Sequence, residues 1–75
     1  MLYGKLKWFD EKKGYGFITN ETSGRDVFVH VTQFQKAGIG RICVGQDVSY
    51  DLYNDKGRIA AGNLSLVYDL GGKHY

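Results

Sequence analysis

The sequence predicts an all-β fold, five short antiparallel strands closed into a small barrel. Three observations carry this expectation. No window of a dozen residues repeats apolar side chains at the 3.6-residue spacing of an amphipathic helix. Eleven glycines cut the 75 residues into short pieces separated by turn-like clusters. The clearest pieces alternate their side chains with a period of two, as strands do. Five such strands leave no room for a crossover helix, and a flat sheet this small would expose its edges, so closure is the economical arrangement.

The first strand is expected over residues 2–9. It holds Leu6 and Trp8, which share parity although Leu6 suits the interior and Trp8 the exterior; a bulge or strong coil near residue 7 reconciles them. The cluster Asp10-Glu-Lys-Lys-Gly14 turns the chain into a second strand over 15–20, and Asn20-Glu-Thr-Ser-Gly24 into a third over 26–31. After the turn-like Ala37-Gly-Ile-Gly40 comes a fourth strand over 46–53. Asn54-Asp-Lys-Gly57 then reads as a hairpin loop into a fifth strand over 58–67, where Gly62 marks a bulge or tight bend. The domain therefore runs over 1–67, and residues 68–75 read as a loose tail. The expected interior comprises Leu6, Ile18, Val27, Val29, Val48, Leu52 and Leu64, with Ile59 or Ala61. The chain has no proline, so no slow X-Pro isomerisation limits its folding.

The second and third strands sort their side chains unusually. Lys13-Gly-Tyr-Gly-Phe-Ile-Thr19 puts Tyr15 and Phe17 on one face and Gly16 and Ile18 on the other; Val27-Phe-Val-His30 opposes Phe28 and His30 to Val27 and Val29. An ordinary core turns its large rings inward. Rings on the outer face of a small sheet, with lysines beside them, form a stacking platform for unpaired bases. The opposite sorting, with Tyr15, Phe17 and Phe28 as core, would force Ile18, Val27 and Val29 into solvent.

Composition sets the remaining bounds. A net charge of +2 does not by itself argue for nucleic acid. Lys5, Lys7, Lys12 and Lys13 nevertheless gather near the N-terminus, while Asp47, Asp51 and Asp55 mark the second half. The single cysteine, Cys43, cannot form an internal disulfide, which fits a reducing cytoplasmic setting. No apolar run has the length of a signal peptide or membrane span, so a soluble, untargeted chain is expected.

The three segments Lys7-Trp-Phe9, Lys13-Gly-Tyr-Gly-Phe-Ile18 and Asp26-Val-Phe-Val-His30 together resemble the bacterial cold-shock proteins and the eukaryotic cold-shock domains, in order and spacing, over residues 1–67. The resemblance implies a five-stranded OB-fold barrel that binds single-stranded RNA and DNA as a nucleic-acid chaperone. It places the binding surface on Lys7, Trp8, Lys13, Tyr15, Phe17, Phe28 and His30. Asp26 matches a position that can bond a base edge, Phe9 a neighbouring aromatic with less direct contact, and Arg58 a basic position in a loop that is one residue longer here. Three departures stand out: Val31 and Ile39 replace rings that the family often carries, and Ala61-Gly62-Asn63 replaces Ala-Ala-Asn or Ala-Val-Asn.

Other chemistries find little support. His30 and Asp26, four residues apart on a strand, make a poor catalytic dyad, and His74 adds no ligand geometry, so neither an enzyme nor a metal site is expected. No cofactor or small-molecule substrate is implied. Gly14 and Gly16 lack the phosphate-loop pattern and its helix, and read instead as a turn residue and a small residue between flanking rings. The RRM signature also begins Lys-Gly-Tyr-Gly-Phe, but its companion motif belongs on an earlier strand. Neither motif offers a reader of the 2′-hydroxyl, so RNA and DNA are both expected partners of a monomer. The alternative reading is a small barrel that grips a peptide, or a structural subunit of a larger particle.

Overall fold

The computed structural model describes residues 1–67; the expected tail at 68–75 lies outside them. Five strands, β1 (Leu2–Asp10), β2 (Tyr15–Asn20), β3 (Asp26–His30), β4 (Asp47–Asp55) and β5 (Arg58–Leu66), and one helix, α1 (Val31–Lys36), follow in the order β1-β2-β3-α1-β4-β5. The strands close into a barrel, β1-β2-β3-β5-β4, with β4 returning to β1. Four seams are antiparallel. The seam between β3 and β5 is parallel and short, pairing Phe28 with Ala60. A plain meander would have paired β3 with β4; instead residues 31–46 carry the chain away, and β4 pairs with β1 from Leu2↔Tyr50 to Lys5↔Asp47.

The helix is the element that the sequence reading missed. At six residues α1 is shorter than any window that could show its period. Its ends are nevertheless well formed. His30 is the N-cap, its Nδ1 accepting the Thr32 N–H at 3.2 Å. Gly38, with φ +75°, follows the C-cap. The Gly38 N–H donates to Gln35 O and the Ile39 N–H to Phe34 O, which are the paired bonds of a Schellman motif. The third strand accordingly stops at His30, one residue short of expectation. Phe34 is fully buried and belongs to the core, and Ile39 packs against that core.

Leu6, Ile18, Val29, Val48, Ala61 and Leu64 form the interior as expected, with Tyr50 and Phe34 added and Val27 at the margin. Two expected interior residues are not there: Leu52 is 49% exposed and Ile59 54%. Leu52 does share a strand face with Val48 and Tyr50. Beyond Tyr50, however, β4 has only β5 as a partner, so Leu52 lies past the β1–β4 seam, and Asn54↔Ile59 lies past the Phe28–Ala60 pair on a two-stranded arm that leaves the barrel. The arm ends in a tight turn, with Lys56 at φ +54° and Gly57 at φ +87°, the two positive values that a type I′ hairpin requires. Tyr50 fills the barrel where the arm departs, its hydroxyl accepting from Asn20 Nδ2 at 2.8 Å.

Both expected irregularities are present. Between Leu6↔Ile18 and Trp8↔Phe17 the β1–β2 register shifts by one residue. Lys7 is thereby bulged, Leu6 faces in and Trp8 faces out. Gly16 sits beneath this bulge on the inner face: a Cβ there would run into the Trp8 carbonyl oxygen and the Phe9 ring. Close approach to β1 is its role, in place of the expected spacing between rings. In β5 the register shifts between Ser49↔Ser65 and Asp51↔Gly62, with Asn63 in the left-handed region at φ +51° and its amide donating to Asp51 Oδ2 at 2.8 Å.

Candidate nucleic-acid interface

The β2–β3 ladder sets three outward pairs in a row: Tyr15 opposite His30, Phe17 opposite Phe28, and Thr19 opposite Asp26. The bulge in β1 adds Trp8 opposite Phe17. Four rings thus share one surface. Centroid separations are 5.8 Å for Trp8–Tyr15, 6.1 Å for Trp8–Phe17, 5.4 Å for Tyr15–Phe28 and 6.1 Å for Phe17–Phe28. These spacings lie in the range of favourable aromatic contact, so each ring braces its neighbours while keeping part of its surface open. Trp8 is 42% exposed, and Tyr15, Phe17 and Phe28 are half-buried.

Polar groups frame the rings on two sides. The Arg58 guanidinium lies 4.5 Å from the Phe28 centroid, a cation–π contact that brings the start of β5 onto the surface. Lys7 Nζ meets Asp26 Oδ2 at 3.0 Å, and the Thr19 hydroxyl donates to Asp26 Oδ1 at 2.9 Å. The Lys7 ammonium and then the Thr19 hydroxyl hold the Asp26 carboxyl below its ordinary pKa, outweighing its partial desolvation. Lys13 has an exposed side chain at the turn before Tyr15, and its backbone N–H donates to Asp10 Oδ1 at 3.1 Å. Because His30 Nδ1 accepts the Thr32 N–H, its outer Nε2 is the nitrogen left for a ligand.

The structure thus brings together Lys7, Trp8, Tyr15, Phe17, Asp26, Phe28, His30 and Arg58, with Lys13 at the edge. Phe9 lies elsewhere. It pairs with inward-facing Gly16, packs edge-on against Phe34 at 5.6 Å and borders the core, because the bulge that turns Trp8 outward turns Phe9 inward. Thr19 was not singled out from sequence, although simple alternation from Tyr15 and Phe17 puts it on the same face. Val31 opens α1 beside Gly14, whose carbonyl accepts its N–H at 2.8 Å. Among the described residues no group of His, Cys, Asp and Glu is placed to hold a metal ion, and no helix is long and apolar enough to cross a membrane.

Comparison with known proteins agrees with this geometry. A family model described as the "Cold-shock" DNA-binding domain matches residues 2–67. Cold shock-like protein CspA of Rickettsia bellii is 45% identical over 65 residues, covering 87% of this chain and 93% of that protein. Cold shock-like protein CspE of Escherichia coli K12 is 44% identical over 66 residues, covering 87% and 96%. A cold shock-like protein of Aquifex aeolicus is 42% identical over 64 residues, covering 85% and 91%. With its barrel, its outward rings and these relatives, the chain belongs to the cold-shock DNA-binding domain family.

Proposed function

We propose that the protein binds single-stranded RNA and DNA by stacking unpaired bases on its ring surface, and so acts as an ATP-independent nucleic-acid chaperone. The observation that carries this reading is the inversion of the usual order: four rings lie outward on β1–β3 while Leu6, Ile18 and Val29 fill the interior. An exposed apolar surface of this kind marks a binding site. Every base has a π-face, so stacking is sequence-tolerant and worth about 1–3 kcal/mol per base. Lys7, Lys13 and Arg58 add attraction to phosphates that salt weakens. A paired base hides its faces in its own stack, so the surface favours open strands and shifts weak hairpins toward them by mass action. The protein acts as a monomer in the cytoplasm. Trp8 reports on the surface directly: its emission falls on titration with a short pyrimidine-rich single strand and changes little with a stable duplex. An equal response to duplex overturns the stacking mechanism.

A further inference from the structure

The outward row does not stop at Phe28. Following the Cα register across the barrel, Trp8 pairs with Phe17, Phe17 with Phe28, Phe28 with Ala60, and Ala60 with Tyr53. This single row crosses all five strands and carries a ring at every position except Ala60. On the outer face of β5, between Phe28 and Tyr53, Ala60 and Gly62 are small and covered, Ala60 completely. Arg58 lies over the Phe28 ring. On the other side the Tyr53 ring lies against Gly62, where a Cβ would sit only 3.0 Å from two ring carbons and 3.2 Å from Gln33 Oε1. Gln33, from α1, donates through Nε2 to the Tyr53 hydroxyl at 3.4 Å. Tyr53 keeps 37% of its surface exposed.

Gln33, which meets Tyr53 and Gly62, also lines a groove between α1 and β5 with Lys36, Ala37, Asn63 and Leu64. Its contents suit a nucleotide: side-chain amides for a base edge and a lysine for a phosphate. The acid at its border, Asp51, is already engaged by the Asn63 amide at 2.8 Å and lies 3.8 Å from the N-terminal ammonium.

We propose that Tyr53, with Gln33 and Lys36, forms a further nucleotide subsite that continues the ring surface across β5 onto β4 and α1. The inference rests on the single-strand reading above and extends it from Phe28 across β5 to Tyr53 on β4 and Gln33 on α1. Gly62 thereby gains a reason: alanine there would displace the Tyr53 ring.

The test compares oligothymidylates of about four and about eight nucleotides, within the range of site sizes of such barrels. The unmodified protein gains affinity with length. Tyr53→Leu, which keeps apolar packing on Gly62 but has no π-face, loses roughly fivefold or more on the longer strand and nothing on the shorter. Tyr53→Phe keeps the gain. In the unmodified protein the Tyr53 ring resonances shift with the longer strand and not with the shorter. Tyr53→Leu binding both lengths as the unmodified protein does, or Tyr53 resonances that stay in place with the longer strand, overturns the subsite and leaves the platform standing. An unmodified protein that binds neither length overturns the platform and the subsite together.

Discussion

Leu6 and Trp8 stand two residues apart on one strand and face opposite sides of the barrel. Leu6 pairs with Ile18 and Trp8 with Phe17, consecutive residues of β2, so the bulged Lys7 absorbs the difference. Without it, burying Leu6 would bury Trp8 as well. The bulge therefore separates the core from the binding surface within a single strand.

Gly16 makes that bulge possible, because any Cβ would meet the Trp8 backbone. Gly16→Ala is expected to cost about 1–3 kcal/mol, the usual range for forced overpacking. It is also expected to weaken single-strand binding, since Trp8 must move to relieve the clash. Urea unfolding gives the first quantity, with an unchanged slope showing that the same cooperative unit unfolds. Full stability with unchanged binding would show that β1 accommodates the methyl group.

The two faces of β2 and β3 predict opposite phenotypes. Phe17→Ala and Phe28→Ala each weaken binding by roughly 1–3 kcal/mol, one stacked base apiece, with a smaller loss of stability. Val29, fully buried, behaves the other way. Val29→Ala loses about 2 kcal/mol of stability from lost burial and the cavity left behind, while the folded molecules bind normally. Binding corrected for the folded fraction separates the cases. Phe17→Ala molecules that unfold yet bind normally when folded would mean that the ring is core.

What the sequence revealed and concealed has a common physical origin. Period-two alternation is a local signal, so it placed Tyr15, Phe17, Phe28, Val29 and His30 on the correct faces. The parity conflict of Leu6 and Trp8 likewise exposed the bulge. Leu52 and Ile59 were misplaced because alternation tells which face a residue takes, not whether the barrel extends far enough to cover it. That depends on where β4 stops pairing with β1, a non-local fact. Phe9 turns toward the core because the residues after a bulge inherit the shifted parity. The helix lay hidden in six residues, although the Ala37-Gly38 step that ends it was visible as a turn. Tyr53 could be joined to the surface only once β5 was known to lie between β3 and β4.

Asp26 should titrate below its ordinary value of 3.8, because Lys7 and Thr19 both hydrogen-bond its ionised form. A depressed folded-state value means that the interaction stabilises the fold fully above the unfolded-state value and is lost as pH falls through the folded-state one. Lys7→Ala removes the larger cause. The Asp26 carboxyl midpoint, followed by NMR, is expected to rise toward the ordinary value in that variant and to rise less in Thr19→Val. Any stability difference between the unmodified protein and Lys7→Ala that stems from the pair should disappear in acid, below the Asp26 midpoint. A midpoint unmoved by Lys7→Ala would show that the pair does not persist in solution, as is common for exposed ion pairs.

Val31 directly follows His30, the last outward ring of β3. It begins α1 rather than continuing β3, so the parity of Val29 does not carry it into the barrel. Its Cγ1 comes within 3.4 Å of where a Gly14 side chain would start, and the residue is half-buried. An aliphatic side chain here can touch a base without offering it a flat π-face. Val31→Phe is therefore expected to strengthen binding by about 1 kcal/mol, the low end of the stacking range. The comparison belongs at fixed salt, since counterion release alone can mask a change of that size. Ile39 offers a contrast, because it packs against the core beside the Schellman turn. Ile39→Phe should lower stability through overpacking, by about 1–3 kcal/mol, and yield less affinity than Val31→Phe. The reverse order, with Ile39→Phe the stronger binder at unchanged stability, would place the open margin at the turn after α1 instead of at its first residue.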